Sequence, residues 1–128
     1  MTEFFMPMKP PTATHQMKKV NWSARTFYEP ADVKEARAKL SAHLAPHRPS
    51  EPLQGALRLV VKWMYRKNLP EPIYKPTRPD LDNIQKLLMD CMTDLKFWKD
   101  DSQVASMIVE KFWVNDLPGI YIRIEELQ

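Results

Sequence analysis

The sequence predicts an α+β fold, on three observations. Two stretches, one following Pro30 and one from Asp80 or Asp82 to Leu95, carry apolar residues at helical spacing. Three others, Leu57 to Tyr65, Val104 to Val114 and Ile120 to Ile124, alternate or run apolar as strands do. Their order is strand, helix, strand, helix, then two strands joined by a short turn. That order suits a mixed or antiparallel sheet with two main helices packed on it. A chain of 128 residues fits one domain, spanning 1–128, with a real core.

Each element has its own reason. Thr2 to Met8 is short and apolar and reads as an edge strand stopped by Pro10 and Pro11. Thr12 to Arg25 is polar and irregular, with a short strand at Val20 to Trp22. The first helix starts after Pro30, where Ala31, Val33, Ala36, Leu40 and Leu44 share a face, and ends at Pro46 and Pro49. Leu57 to Tyr65 is apolar on both faces, as a central strand is. Leu69 to Pro79 holds four prolines and reads as a stiff loop. In the second helix Leu81, Ile84, Leu88, Cys91 and Leu95 form one buried stripe, with Leu87 and Met92 beside it. Val104 to Val114, the turn Asn115 to Gly119 and Ile120 to Ile124 read as a hairpin.

Composition excludes several functions. The single cysteine, Cys91, forbids an intrachain disulfide and suits a reducing cytoplasm. No apolar run approaches the ~18 residues of a membrane span. Met1 to Met8 lacks the basic start and long apolar core of a secretory signal. Only Gly55 and Gly119 are glycine, so a Gly-rich phosphate loop, and with it a nucleotide cofactor, is not expected. The net charge of +3 divides unevenly: residues 1–79 carry +8 and residues 80–128 carry −5. A basic first part suits a polyanion such as DNA, and the acids after it would repel one unless a cation lay between. Lys18, Lys19, Arg66, Lys75 and Arg78 are the chosen candidates for phosphate contact.

The acids gather in two short runs. Asp82, Lys86 and Asp90 are spaced i, i+4, i+8 on the helix face opposite the apolar stripe, and Asp80 sits at the helix mouth. Asp100 and Asp101 precede the strand that follows; the spacing alone does not decide whether they return to Asp80 and Asp82. Phosphodiester hydrolysis builds charge on the attacking and leaving oxygens, and a hard cation held by carboxylates neutralises it. With no His or Cys beside the acids, Mg²⁺, or Mn²⁺ in its place, is the expected ion rather than Zn²⁺. Lys86, amid the acids, could stabilise the transition state. Each residue also has an ordinary structural use. Asp80 or Asp82 could cap the helix, with Gln85 completing a capping box, and Asp82, Lys86 and Asp90 form plain i,i+4 pairs.

The whole string is more specific than its parts. Asp80-Leu-Asp82-Asn83-x-x-Lys86, Asp90, then Phe97-Trp98-x-Asp100-Asp101-x-Gln103-Val104 resembles the signature of the RusA family of Holliday junction resolvases. The resemblance implies that Asp80, Asp82 and Asp101 are catalytic, metal-holding aspartates, with Asp100 and Asp90 in support, and that Lys86 is the essential lysine. It further implies a homodimer that cuts two strands of a four-way DNA junction in recombination and repair. A nuclease for other branched DNA such as flaps, and a non-catalytic DNA-binding module, are the competing readings. The stretch Lys9 to Lys19 departs from the Pro-Pro-Ser-Asn-Asn start of some members, which bears on junction contacts more than on chemistry. If Asp80, Asp82, Asp100 and Asp101 serve one cation, they are expected to crowd together in the fold.

Overall fold

The computed structural model describes residues 1–13, 19–21, 26–28 and 30–128, and the side chains of 1–13 and 30–128. His15, Lys18, Trp22 and Arg25 lie outside the described residues, as does the side chain of Lys19.

Strand β1 (Thr2–Pro7) pairs antiparallel along the outer edge of a five-stranded sheet, as expected of an edge strand. Two short strands, β2 (Lys19–Asn21) and β3 (Thr26–Tyr28), form a separate two-stranded ribbon. Helix α1 (Ala31–Leu44) buries Val33, Ala36, Leu40 and Leu44, and a 3-10 turn at Ala45–His47 follows it at Pro46. Strand β4 (Leu57–Arg66) lies at the centre of the sheet, as its two apolar faces predict. Leu57, Leu59, Val61, Trp63 and Tyr65 face the main core with Ile120, Ile122 and Ile124, and both helices close over them.

The sequence predicts no strand within the proline-rich loop. The structure has β5 (Ile73–Tyr74), two residues between Pro72 and Pro76, held by stacking of Tyr74 on Phe112 at 4.8 Å. Helix α2 (Leu81–Asp94) buries Ile84, Leu87, Leu88, Cys91 and Met92, which is the expected stripe. It also buries Gln85, because Trp63 Nε1 needs an acceptor in the core and finds Gln85 Oε1 at 3.1 Å. Phe97 and Trp98 are fully buried below the helix end, where Trp98 Nε1 donates to Thr93 Oγ1 at 2.7 Å.

The expected terminal hairpin does not form. Strands β6 (Val104–Val114) and β7 (Gly119–Glu126) flank β4 instead, in the order β1-β7-β4-β6-β5. β6 is parallel to β4 and β7 antiparallel to it. The reason lies in β4: it is apolar on both faces and paired along both edges, so it takes the place between the two. The connection passes over its end, where Lys67 N donates to Val114 O at 2.9 Å and Met8 N to Pro118 O at 3.3 Å. Gly119 is required there, since a Cβ would lie 2.4 Å from Met6 O. No helix among the described residues is long and apolar enough to cross a membrane.

Candidate active site

Helix α2 starts at Asp80, which occupies the N-cap position with extended backbone. Its side chain makes no capping hydrogen bond; the contact it has is from Asn83 Nδ2, at 3.4 Å to Oδ2. Asp82 Oδ1 accepts from its neighbour's Asn83 N at 3.0 Å. Gln85, which would complete a capping box with Asp82, points into the core at Trp63. Both carboxylates are therefore exposed and little engaged by the fold. The capping explanation accounts for neither.

One turn further, about 6 Å along the axis, Lys86 Nζ lies 3.0 Å from Asp90 Oδ1 and 3.9 Å from Asp101 Oδ2. Its pKa is raised, first by the hydrogen bond and charge of Asp90, then by Asp101. The chain thus returns Asp101 to the helix, the step that spacing alone left undecided. Asp100 is used otherwise. It caps the 3-10 turn Asp101–Gln103, accepting from Ser102 N at 3.0 Å, and Gln103 Oε1 reciprocates on the Asp100 backbone N–H. The bond from Ser102 N, chiefly, holds the Asp100 carboxyl below the usual range. Gln103 Nε2 ties the turn to Leu53 O and Gly55 O, which fixes Asp101 in place.

The expected crowding of the acids is not found. Among the described residues no three acidic, His or Cys side chains stand together as a ready metal-ligand set. Instead Asp80 and Asp82 form one group at the helix mouth, and Asp90 and Asp101 a second, with Lys86 bonded to the second. The lysine draws two of the acids to itself, and the capping turn takes Asp100.

The loop that delivers Asp80 is braced by two lysines. Lys75 is only 7% exposed; its Nζ donates to Thr77 Oγ1 at 2.6 Å and to Arg78 O, and lies 4.1 Å from the Trp113 ring centre. Lys111 Nζ donates to Thr77 O at 2.5 Å and Pro79 O at 2.6 Å. Burial lowers both ammonium pKa values, and the charge of Asp80 partly offsets this for Lys111. Lys75, chosen from sequence for phosphate contact, thus has its ammonium committed to the loop. Arg66 and Arg78 are exposed. Lys111 is not among the residues the sequence singles out, although it carries a signal. It stands on the core-facing side of β6 between Val109 and Trp113, where an apolar residue is the rule. Removing the Lys75 charge as Lys75→Met leaves Arg78 O and Thr77 Oγ1 without their donor. Thermal melting should then fall by roughly 5–10 °C, for a loss of about 2 kcal/mol. An unchanged melting point would show that the brace does not hold the loop.

Two clefts border the acids. One, of about 660 Å³, lies between α2 and β6 and is lined by Leu81, Asp82, Gln85, Lys86, Met89, Met107 and Val109. The other, of about 280 Å³, is polar, with Arg37, Asp90, Thr93, Asp94 and Asp101. An oxygen-only donor set around one lysine, on a small α+β domain, is equipment suited to cleavage of a phosphate ester. The chain belongs to the RusA family: the model described as "Endodeoxyribonuclease RusA" matches residues 7–125. A Lactococcus phage r1t protein named "Crossover junction endodeoxyribonuclease rusA" is 37% identical over 81 residues, 60% of each chain. The chain thus spans 60% of the length of that relative. A Bacillus subtilis (strain 168) protein, "Uncharacterized protein YqaN", is 28% identical over 113 residues, 77% of this chain and 78% of that one.

Proposed function

We propose that this chain is a Mg²⁺-dependent, structure-specific endodeoxyribonuclease that resolves four-way DNA junctions as a homodimer, in the cytoplasm. The observation that carries this reading is Lys86, placed between Asp90 and Asp101 one turn from the exposed Asp80 and Asp82. Mg²⁺ usually binds through one or two carboxylates and takes its remaining ligands from water and substrate phosphate. The separated acids fit that habit better than a closed protein cage. Asp80 and Asp82 would hold the cation, with Asp101 held apart beside Lys86; Mn²⁺ could replace it. Bound there, the ion would supply Lewis acidity at the phosphate and activate water. Lys86 directs its ammonium at the developing charge of the phosphoryl group, and Asp90 holds it in that direction. The Lys75 and Lys111 braces keep Asp80 at the helix mouth. A four-way junction offers two equivalent strands, which a twofold dimer can cut as a pair.

The test is cleavage of four-way junctions, flaps and linear duplex with Mg²⁺ and with EDTA. Paired cuts in the junction alone, and only with Mg²⁺, are expected. Equal cutting of flaps would make the substrate branched DNA in general, and binding without any cutting would overturn the reading in favour of a non-catalytic module. Lys18, Lys19, Arg66 and Arg78 are proposed as the phosphate contacts. Affinity should then fall linearly in log salt, with a slope of about −0.9 per neutralised phosphate. Arg78→Ala, at an exposed position, should flatten that slope by about 1. A slope left unchanged by this variant places the DNA on another face.

A further inference from the structure

Leu81, Gln85 and Met89 are spaced i, i+4, i+8 and form one ridge of α2. Met107 and Val109 lie two apart on β6 and pair with Leu59 and Val61, so they share the core-facing side of the sheet. The cleft of about 660 Å³ lies between this ridge and these two residues, with the exposed Asp82 and Lys86 at its rim. Its floor holds a polar group that the fold only half explains. Gln85 is 2% exposed. Trp63 Nε1 can only donate, so the amide oxygen of Gln85 must face it, at 3.1 Å. That fixes the amide and turns Nε2 toward Met107, whose Sδ is 3.7 Å away. A thioether is a weak acceptor. Among the described residues Nε2 has no oxygen or nitrogen to donate to. Trp63 therefore accounts for the oxygen of Gln85 and leaves its N–H groups almost unused, in a buried position where donors are normally satisfied.

We infer that this cleft is a nucleobase subsite. It takes one unstacked base of the DNA beside the phosphate at Lys86, and Gln85 Nε2 donates to an acceptor on that base's edge. The inference rests on the nuclease reading above for the phosphate at the rim, and on the cleft for its own geometry. The occupant follows from what the cleft adjoins. Asp82 and Lys86 belong both to its rim and to the candidate active site, so a nucleotide whose phosphate reaches them has its base one sugar away. A base needs apolar walls for its two faces and a polar group for its edge, and the cleft supplies both. The thioethers of Met89 and Met107 suit an aromatic face. The volume of about 660 Å³ falls within the roughly 300–1,000 Å³ of sites that enclose small organic groups. With its oxygen held by Trp63, Gln85 can offer only a donor, so it selects an edge that carries a ring nitrogen or a carbonyl. Drawing a base from the stack costs least where stacking and pairing are already interrupted, which is the condition at the crossover of a branched DNA.

The test uses four-way junctions with one abasic site, moved a nucleotide at a time along the strands at the crossover. Binding is measured in EDTA and single-turnover cleavage with Mg²⁺. For the wild type, one position should raise the dissociation constant and lower the rate by about tenfold or more, and the others should change little. Met107→Ala removes a wall at a half-exposed position. It should bind the intact junction about tenfold more weakly and lose most of its sensitivity to the abasic site, because wall and base form one contact. Gln85→Glu keeps an oxygen for Trp63 and turns the donor into an acceptor, and it should lose that sensitivity too. Ile108→Ala, exposed on the opposite face of β6, should behave as wild type. Met107→Ala decides the matter if Gln85→Glu fails to fold. Equal sensitivity at every position, or full wild-type sensitivity in either folded variant, would overturn the proposal. A Met107→Ala that loses sensitivity and also changes its mass in solution would assign the cleft to contact between protein copies, and overturns it too. Base-dependent binding without any cleavage would leave the subsite standing and remove the nuclease reading. Cleavage with no base dependence would do the reverse, and failure to bind any junction would remove both.

Discussion

Asp82→Asn should slow junction cleavage by a factor of about 10³ or more, while junction binding changes little. The substitution keeps the shape of the side chain and removes its charge. Its Oδ1 bond, to the adjacent Asn83 N–H, can be kept by the amide oxygen. Asp82 is exposed and caps nothing, so the fold should lose little. A thousandfold loss corresponds to about 4 kcal/mol of transition-state stabilisation, the size expected when a charge that organises a phosphoryl-transfer site is removed. Single-turnover cleavage with Mg²⁺, beside junction binding measured in EDTA, separates chemistry from recognition. Cleavage at the wild-type rate would place the reaction away from α2. Asp100→Asn is the instructive contrast. Asp100 is committed to the 3-10 turn, so the variant should lower the melting point more than it lowers the rate.

The difference between Asp100 and its neighbour Asp101 is what the sequence could not show. Both stand in the same acidic run, and both resemble metal ligands. The distinction comes from Gln103, whose side chain closes a capping box over one and leaves the other facing Lys86. Local pattern did predict the parts that local forces decide: both helices, the buried stripe of α2, the central place of β4, the edge strand β1. It failed where a distant partner decides. The short turn before β7 reads as a hairpin, yet β4 lies between β6 and β7, because a strand apolar on both faces competes for both neighbours. Lys75 reads as a phosphate contact because the sequence shows only its charge, in a basic first part of the chain. The loop folds over Tyr65 and Trp113, and their ring faces hold the ammonium inside. The i,i+4 spacing of Asp82, Lys86 and Asp90 gave the right helix face. Lys86 bonds Asp90, the i,i+4 partner that spacing offered, and what spacing could not show is the approach of Asp101 to 3.9 Å from outside the helix.

Lys86→Met should lower cleavage by about a hundredfold, with a pH signature that sets it apart from a packing residue. Lys86 is bonded to Asp90 and Asp101 and half open to solvent, so it is both the counter-ion of two acids and a cation available to substrate. Its folded pKa lies above the ordinary lysine value of 10.5, chiefly through Asp90. By linkage, a lysine raised in this way contributes stability that is fully present below the unfolded value and is lost as pH climbs through the folded one. Because the side chain is exposed, that contribution is small. Wild type should therefore melt slightly above Lys86→Met at neutral pH, and the two should converge in strong alkali. The rate behaves differently. The ammonium stays protonated across the neutral range, so the activity ratio of wild type to Lys86→Met should be flat from pH 7 to pH 9. Lys86→Arg keeps the charge but replaces a compact ammonium with a planar fork. It should recover the stability difference and only part of the rate. Recovery of both in full would reduce Lys86 to a counter-ion for Asp90 and Asp101. Recovery of stability alone would assign the ammonium itself to the phosphoryl group.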